Sequence, residues 1–343
     1  MTFSSGRCLE KLFSSIKLGP LTCKNRIIRS ATNDFAANRD GSVSNSQLSI
    51  YRDLAIGGTG VIITANFAVS PSDPNPNMMN TIYSGSKLGG VRQLAEQASQ
   101  NSAAVICQLS HSGGGIDINS ISTHDLEKIS EEFGSAARNA MDCGFHGVQL
   151  HCAHGYLLSR FLDPSLNFRD DSFGRGLKGR LRFPVMCIRA IRHHCGAGFP
   201  IMIKINTDTE KAEHSQSYTH ELTEILECFY EDGVVLAELS GTDFRQRPHY
   251  EHNYYIEAAR LLNAETHMPF AIVGGTRSLT DMWEAFSAGA AMVSMSRPLI
   301  REPDFPNSLR LGRKSISACQ GCNLCFTLPH SKGIRCICEN QRR

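Results

Sequence analysis

The sequence predicts an α/β protein built as a closed (β/α)8 TIM barrel with a short Cys-rich C-terminal tail. Three observations predict it. Eight short apolar runs recur along the 343 residues. Helical patterns lie between them, and no linker or low-complexity stretch divides the series.

The first run is NRIIRSAT (25–32), and the segment that leads into it from Phe13 reads as a hairpin. GVIITANF (60–67), AAVICQLSH (103–111), GVQLHC (147–152), PIMIKINT (200–207), VVLAELSG (234–241), PFAIVGG (269–275) and AMVSMSRP (291–298) follow in order. These runs look buried on both faces, as parallel strands between helices are. LGGVRQLAEQASQ, THDLEKISEEFGSAARNAM and SLTDMWEAFSAGA are helix candidates between them. Eight strand–helix units favour closure over an open doubly wound sheet. The barrel is expected over 12–311 and the tail over 312–343.

Composition narrows the function classes. Apolar residues make up 41% and charged residues 20%, a globular balance. A net charge of +2 gives no electrostatic ground for a nucleic-acid or membrane partner. No apolar run approaches the roughly 20 residues that span a bilayer. Cys107, Cys143, Cys187 and Cys228 sit singly inside apolar stretches, which suits a reducing compartment. Only about ten residues precede the hairpin, fewer than the roughly 15–30 of a targeting segment. A cytoplasmic protein with a short N-terminal tail is expected.

Catalytic groups of such barrels sit at the C-terminal ends of the strands. Those ends carry Ser30, Ala31, Thr32 and Asn33, then Asn66, then Gln108 and His111, then His151, His154 and Tyr156. Lys204 and Asn206, Ser240 and Gly241, Gly274 and Gly275, and Ser296 and Arg297 complete the rim. The last two strands end in GGTRS and SMSRP. Glycines there let backbone N–H groups approach an anion, and Arg297 can grip phosphate with two parallel bonds. GRGLKG (174–179) matches a dinucleotide fingerprint but follows DDSF, not a strand, so it reads as loop and helix start. No other dinucleotide fingerprint appears, so if the chain does redox chemistry with a nicotinamide, that cofactor is expected to visit and not to stay.

Two further motifs leave alternatives open. His151 and His154 could bind metal, although no third ligand follows at a familiar distance; a metal-dependent barrel hydrolase stands as one alternative. Cys319, Cys322, Cys325, Cys336 and Cys338 read C-x2-C-x2-C-x10-C-x-C. Thiolates at such spacings select an iron–sulfur cluster or zinc, with Cys319, Cys322, Cys325 and Cys336 as the candidate ligands. An unliganded cysteine tail is the other reading.

LFSSIKLGPLTCKNRIIRSAT, VICQLSHSGG, HCAHGYLLSRFLDPSLNFRDDSFG with GRLRF, AIVGGTRS and SMSRPLIREPDF together resemble the old yellow enzyme family of FMN-dependent NAD(P)H oxidoreductases. The likeness runs from Leu12 to about Phe305. It implies FMN in the barrel mouth, with Ser30, Ala31 and Thr32 along the isoalloxazine and Gln108 at its pyrimidine edge. Lys204 would stand near N1 and O2, and Gly274, Gly275, Ser296 and Arg297 would surround the phosphate. His151 and His154 would hold a substrate carbonyl, and Tyr156 would give the proton. NADH or NADPH would be the hydride donor, and a small unsaturated carbonyl compound the acceptor. A flavin-binding protein with little turnover is the remaining alternative, and a homo-oligomer is compatible with the family.

The chain departs from the family pattern in four places. Lys204 stands where many members carry Arg, and Asn33 where members often have Cys or Thr. Only Gly113–Thr123 joins the third strand to its helix, so a more open or differently roofed site is expected. The dienoyl-CoA reductase branch places three residues between its second and third cysteines before a large second domain, whereas GCNLCF has two. With the chain ending at Arg343, a cysteine site without an electron relay is expected.

Overall fold

The structure is a computed structural model that describes residues 4–73, 79–327 and 333–338. Helix α1 (Ser5–Phe13) precedes an antiparallel hairpin of β1 (Ile16–Leu18) and β2 (Leu21–Cys23). The barrel strands then begin with β3 (Ile27–Arg29) and β4 (Val61–Ala68), with the two-residue β5 (Asn80–Thr81) beside the end of β4. They continue with β6 (Ala104–Ser110), β7 (Gly147–Cys152), β8 (Ile201–Asn206), β9 (Val234–Ser240), β10 (Phe270–Val273) and β11 (Met292–Met295). Neighbouring barrel strands pair in parallel, and β3 pairs with both β11 and β4, which closes the eight-stranded barrel. The fold expected from the eight runs is the fold observed.

The connecting helices are α2 (Asn45–Ile56), α3 (Leu88–Ala98), α4 (Thr123–Asp142), the short α5 (Leu157–Leu162) and α6 (Gly176–Cys195). They are followed by α7 (Ser215–Glu231), α8 (Ile256–Leu262), α9 (Leu279–Ser287), α10 (Arg297–Arg301) and α11 (Phe305–Arg310). Local chemistry fixes several starts. Ser44 and Gln47 form a capping box on α2, Ser278 and Asp281 form another on α9, and the Ser122 hydroxyl accepts from Asp125 N on α4. Each cap stabilises its helix by about 1 kcal/mol. α6 starts inside GRGLKG, as a loop and helix start should.

Alternation along the strands positions the site. Inside the barrel, Ile28, Val61, Ile63, Ile106, Met202, Leu236 and Met292 form an apolar layer with Leu18, Leu21 and Cys23 of the hairpin. The hairpin therefore closes the N-terminal end of the barrel. Side chains two residues further along a strand point to the same face. At those positions stand Ser30, Gln108, Lys204, Glu238 and Ser294, all buried. These five polar side chains thus stand on the C-terminal side of the apolar layer.

Both ends of the barrel segment extend past the expected boundaries. Residues before Leu12 form α1, whose Cys8 and Leu12 are buried, and the Cys8 thiol donates to Leu279 O. Cys8, Leu9 and Leu12 give that helix one apolar face, a pattern the tail reading overlooked. After Leu311 the chain stays attached, with Ile316 bridging Ser278 and Ser317 N donating to Arg277 O at 2.8 Å. Tail residues 328–332 and 339–343 lie outside the described residues. Among the described residues, no helix is long and apolar enough to cross a membrane.

Candidate active site

The C-terminal mouth opens into a cavity of about 540 Å3. Ser30, Ala31, Thr32, Gln108, Lys204, Gly274, Gly275, Ser296 and Arg297 all line it, together with His151, His154 and Tyr156. One cavity therefore gathers the flavin, phosphate and catalytic candidates, whereas His111, Asn206 and Gly241 of the strand ends do not line it.

Strand register places the polar floor. Gln108 stands opposite Gln149, His151 opposite Lys204, and Lys204 opposite Glu238. Lys204 Nζ lies 3.3 Å from Glu238 Oε2 and donates to Ser30 Oγ at 2.8 Å. Gln108 Nε2 donates to Gln149 Oε1 at 2.7 Å, and Gln149 Nε2 donates to Glu238 Oε2 at 3.1 Å. Burial raises the pKa of the Glu238 carboxyl, but Lys204 and the donors from Ser294, Ser30 and Gln149 outweigh it and hold the group below its usual range.

The HCAHGY turn stacks three rings. His151 and Tyr156 lie face to face with centroids 4.2 Å apart, and His154 meets His151 edge-on at 5.1 Å. His154 takes a left-handed backbone at φ 59°, uncommon outside glycine, which lets the turn bring its ring back over the strand end. Burial, then the Lys204 charge, pushes the His151 pKa down to about 3, so the ring is neutral. Its Nδ1 accepts from Ala153 N at 3.3 Å, which leaves Nε2 as the N–H. Burial also drives the His154 pKa well down, followed by its coupling to His151 and the charges of Lys204 and Arg245. His154 Nε2 shares a 2.8 Å hydrogen bond with Ser240 Oγ. Tyr156 is raised, chiefly by burial, and stays a phenol; its oxygen accepts from Asn66 Nδ2 at 2.9 Å.

The anion-binding candidates line the same cavity. Gly274 and Gly275 have φ of 121° and 78°. At Gly275 a Cβ would sit 2.7 Å from Asn253 N, so no larger residue fits there. Ser296 Oγ and Thr32 Oγ1 are 2.8 Å apart. Arg297 is braced by the tail, where its guanidinium donates to Gly321 O at 3.0 Å and Asn323 Oδ1 at 2.7 Å, and by the loop after β9, where it donates to Tyr254 OH at 2.8 Å.

The sequence profile of the NADH:flavin oxidoreductase / NADH oxidase family matches residues 11–122 and 116–315. The chain belongs to that family. An NADH oxidase of Thermoanaerobacter brockii is 28% identical over 91% of this chain and 53% of its own length. This chain thus spans about half of that relative. A 4,4'-dithiodibutanoate disulfide reductase of Rhodococcus erythropolis is 25% identical, over 95% of this chain and 94% of its own length. Among solved structures, the 6-hydroxypseudooxynicotine amine oxidase of Pseudomonas geniculata N1 superposes with TM-score 0.84 at 20% identity, over 96% of this chain and 54% of its own. The old yellow enzyme homologue of Zymomonas mobilis gives TM-score 0.78 at 17% identity, over 95% and 97%. At those identities the solved structures speak for the fold.

The NADH:flavin oxidoreductase family brings FMN as cofactor, and the cavity suits it. Its volume lies within the roughly 300–1,000 Å3 of small-molecule pockets. It is lined by a buried cation and amide, Lys204 and Gln108, and by a glycine pair with an arginine. The alternative metal site at His151 and His154 gains no support: among the described residues, no three His, Cys, Asp or Glu side chains group so as to hold a metal ion. Cys319, Cys322, Cys325, Cys336 and Cys338 line one small cavity, but as placed they do not form such a ligand set.

Several site residues escaped the sequence reading. Phe35, Phe244, Arg245, Gln246 and Phe326 line the cavity. They form its roof from the loops after β3 and β9 and from the tail, and not from the short segment after β6. Glu238 and Gln149 lie beneath it inside apolar runs, where a charged or amide residue was the available signal.

Proposed function

We propose that the chain is an ene-reductase that takes hydride from NADH or NADPH and reduces carbon–carbon double bonds conjugated to a carbonyl. Bound FMN would accept a hydride from the nicotinamide and deliver it to the β-carbon of the acceptor. The protein's own part is binding, charge stabilisation and protonation. His151 offers its Nε2–H to the carbonyl oxygen. His154 joins it from the edge-on ring, its Nε2 accepting from Ser240 and its Nδ1 carrying the hydrogen. Two neutral donors can stabilise developing enolate charge without giving up a proton. Tyr156 then protonates the α-carbon.

On this reading Ser30, Ala31, Thr32, Gln108 and Lys204 hold the ring system, and Gly274, Gly275, Ser296 and Arg297 hold the phosphate. Lys204 would supply a positive charge beside the ring system, where a reduced flavin carries negative charge. No step passes through the cysteine tail.

The observation that carries the proposal is the stacked His151–Tyr156 pair, with the phenol oxygen occupied by Asn66 and its hydrogen free for the cavity. Anaerobic absorbance tests it. FMN-loaded protein should bleach with NADH or NADPH and recover its colour when cyclohexenone is added. Bleaching without recovery on any conjugated enone, aldehyde or enoate would leave a flavin-binding protein with little turnover.

A further inference from the structure

Inside the barrel, beneath the residues assigned to the flavin, lies one carboxylate that the reaction above does not use. Glu238 is fully buried, two positions along β9 from Leu236 of the apolar layer. Lys204, Ser294, Gln149 and Ser30 all hydrogen-bond or ion-pair to it. Two of the side chains assigned to the flavin ring, Lys204 and Ser30, touch it directly. A third, Gln108, reaches it through Gln149.

We propose that Glu238 is the positioning residue of the flavin site: it neutralises Lys204, fixes which way Gln108 presents its amide, and so holds down the reduction potential of the bound flavin. The proposal rests on FMN occupying this cavity.

Orientation follows from donor counting. An ionised carboxylate only accepts, so every neighbour must turn a donor toward it. Gln149 therefore aims its amide N–H2 at Glu238, and its Oε1 is left to accept from Gln108 Nε2. Gln108 in turn keeps its Oε1 for the cavity. A neutral glutamine at 238 could donate or accept, and the whole amide chain could reverse.

Charge follows from burial. The side chains of Lys204 and Glu238 are 4% and 0% exposed, so water screens neither. Alone, Lys204 would favour the reduced, anionic flavin strongly. Glu238 cancels much of that pull while keeping the ammonium in place against Ser30. This gives the buried carboxylate a role that a purely structural polar group would lack, since it must then change the flavin and not only the fold.

The test is the two-electron midpoint potential of the FMN-loaded protein. In Glu238→Gln it should rise, by about 30 mV for each tenfold gain in affinity for reduced over oxidised flavin. Glu238→Asp, which keeps the charge, should stay near the wild-type value. An unchanged or lowered potential in Glu238→Gln overturns the proposal. Should that variant not fold, Lys204→Met and Lys204→Met/Glu238→Gln decide. The double variant should lie above the single one and closer to wild type; identical potentials overturn the proposal. Wild-type protein that takes up no FMN overturns the flavin reading and this proposal together. FMN uptake with an unmoved potential overturns this proposal alone.

Discussion

Tyr156, the proton donor of the proposed reaction, shows how surroundings set the state of a single residue. Its ring is held against His151, its oxygen is filled by Asn66, and burial keeps its proton on. Tyr156→Phe removes only the hydroxyl. It should leave FMN uptake and reduction by nicotinamide unchanged while slowing reoxidation by an enone roughly 100-fold or more, read by stopped-flow absorbance. His151 adds a pH effect. In the folded chain it stays neutral down to about pH 3, whereas an unfolded histidine takes up its proton near its unperturbed pKa of about 6.5. Between those values the unfolded state binds the extra proton. Stability is therefore fully present above about pH 6.5 and is lost as pH falls through the window, at about 1.4 kcal/mol per pH unit for one such group. Denaturant unfolding from pH 7 to pH 4 should show this slope, and His151→Asn should reduce it by about one proton.

Elements far apart in the chain build the roof and the surroundings of Arg297, which is proposed to hold the phosphate. The loop after β9 supplies Phe244 and Arg245, and the tail supplies Phe326 and the brace on Arg297. Asn323 itself bonds back to Arg245 O, so loop and tail are tied together. Asn323→Ala removes one hydrogen bond to a charged side chain. It should weaken FMN binding roughly five- to tenfold, measured by fluorescence titration, without shifting the flavin spectrum. None of this roof was legible in the sequence. Strand ends were, because eight apolar runs place them and the barrel rule says which end to read. A contact between Arg297 and residues 321–323 leaves no periodicity to detect. Glu238 and Gln149 were hidden for a different reason. Runs buried on both faces do not reveal which face lines the barrel interior, so a polar residue within one looks like an exception and not like a layer. The N-terminal helix was legible in its Cys8–Leu12 face but was set aside as tail.

At the scale of the whole molecule the interior has two layers with separate duties. The apolar layer, closed by the β1–β2 hairpin, supplies stability; the polar layer above it supplies the site. The two meet only along the strands, at steps such as Met202 to Lys204 and Leu236 to Glu238. Leu18 belongs wholly to the lower layer, is 2% exposed, and packs where the hairpin plugs the barrel. Leu18→Ala leaves a cavity among Ile28, Val61 and their neighbours that rigid strands cannot collapse to fill. It should cost about 2–5 kcal/mol, seen as a lowered midpoint in denaturant unfolding. The flavin spectrum and the rate of reduction by nicotinamide should stay at wild-type values at 25 °C, because no hydrogen bond of the upper layer passes through Leu18. A flavin site that loosened in step with stability would show instead that the layers are mechanically coupled, and that the hairpin helps to set the geometry of Lys204 and Glu238.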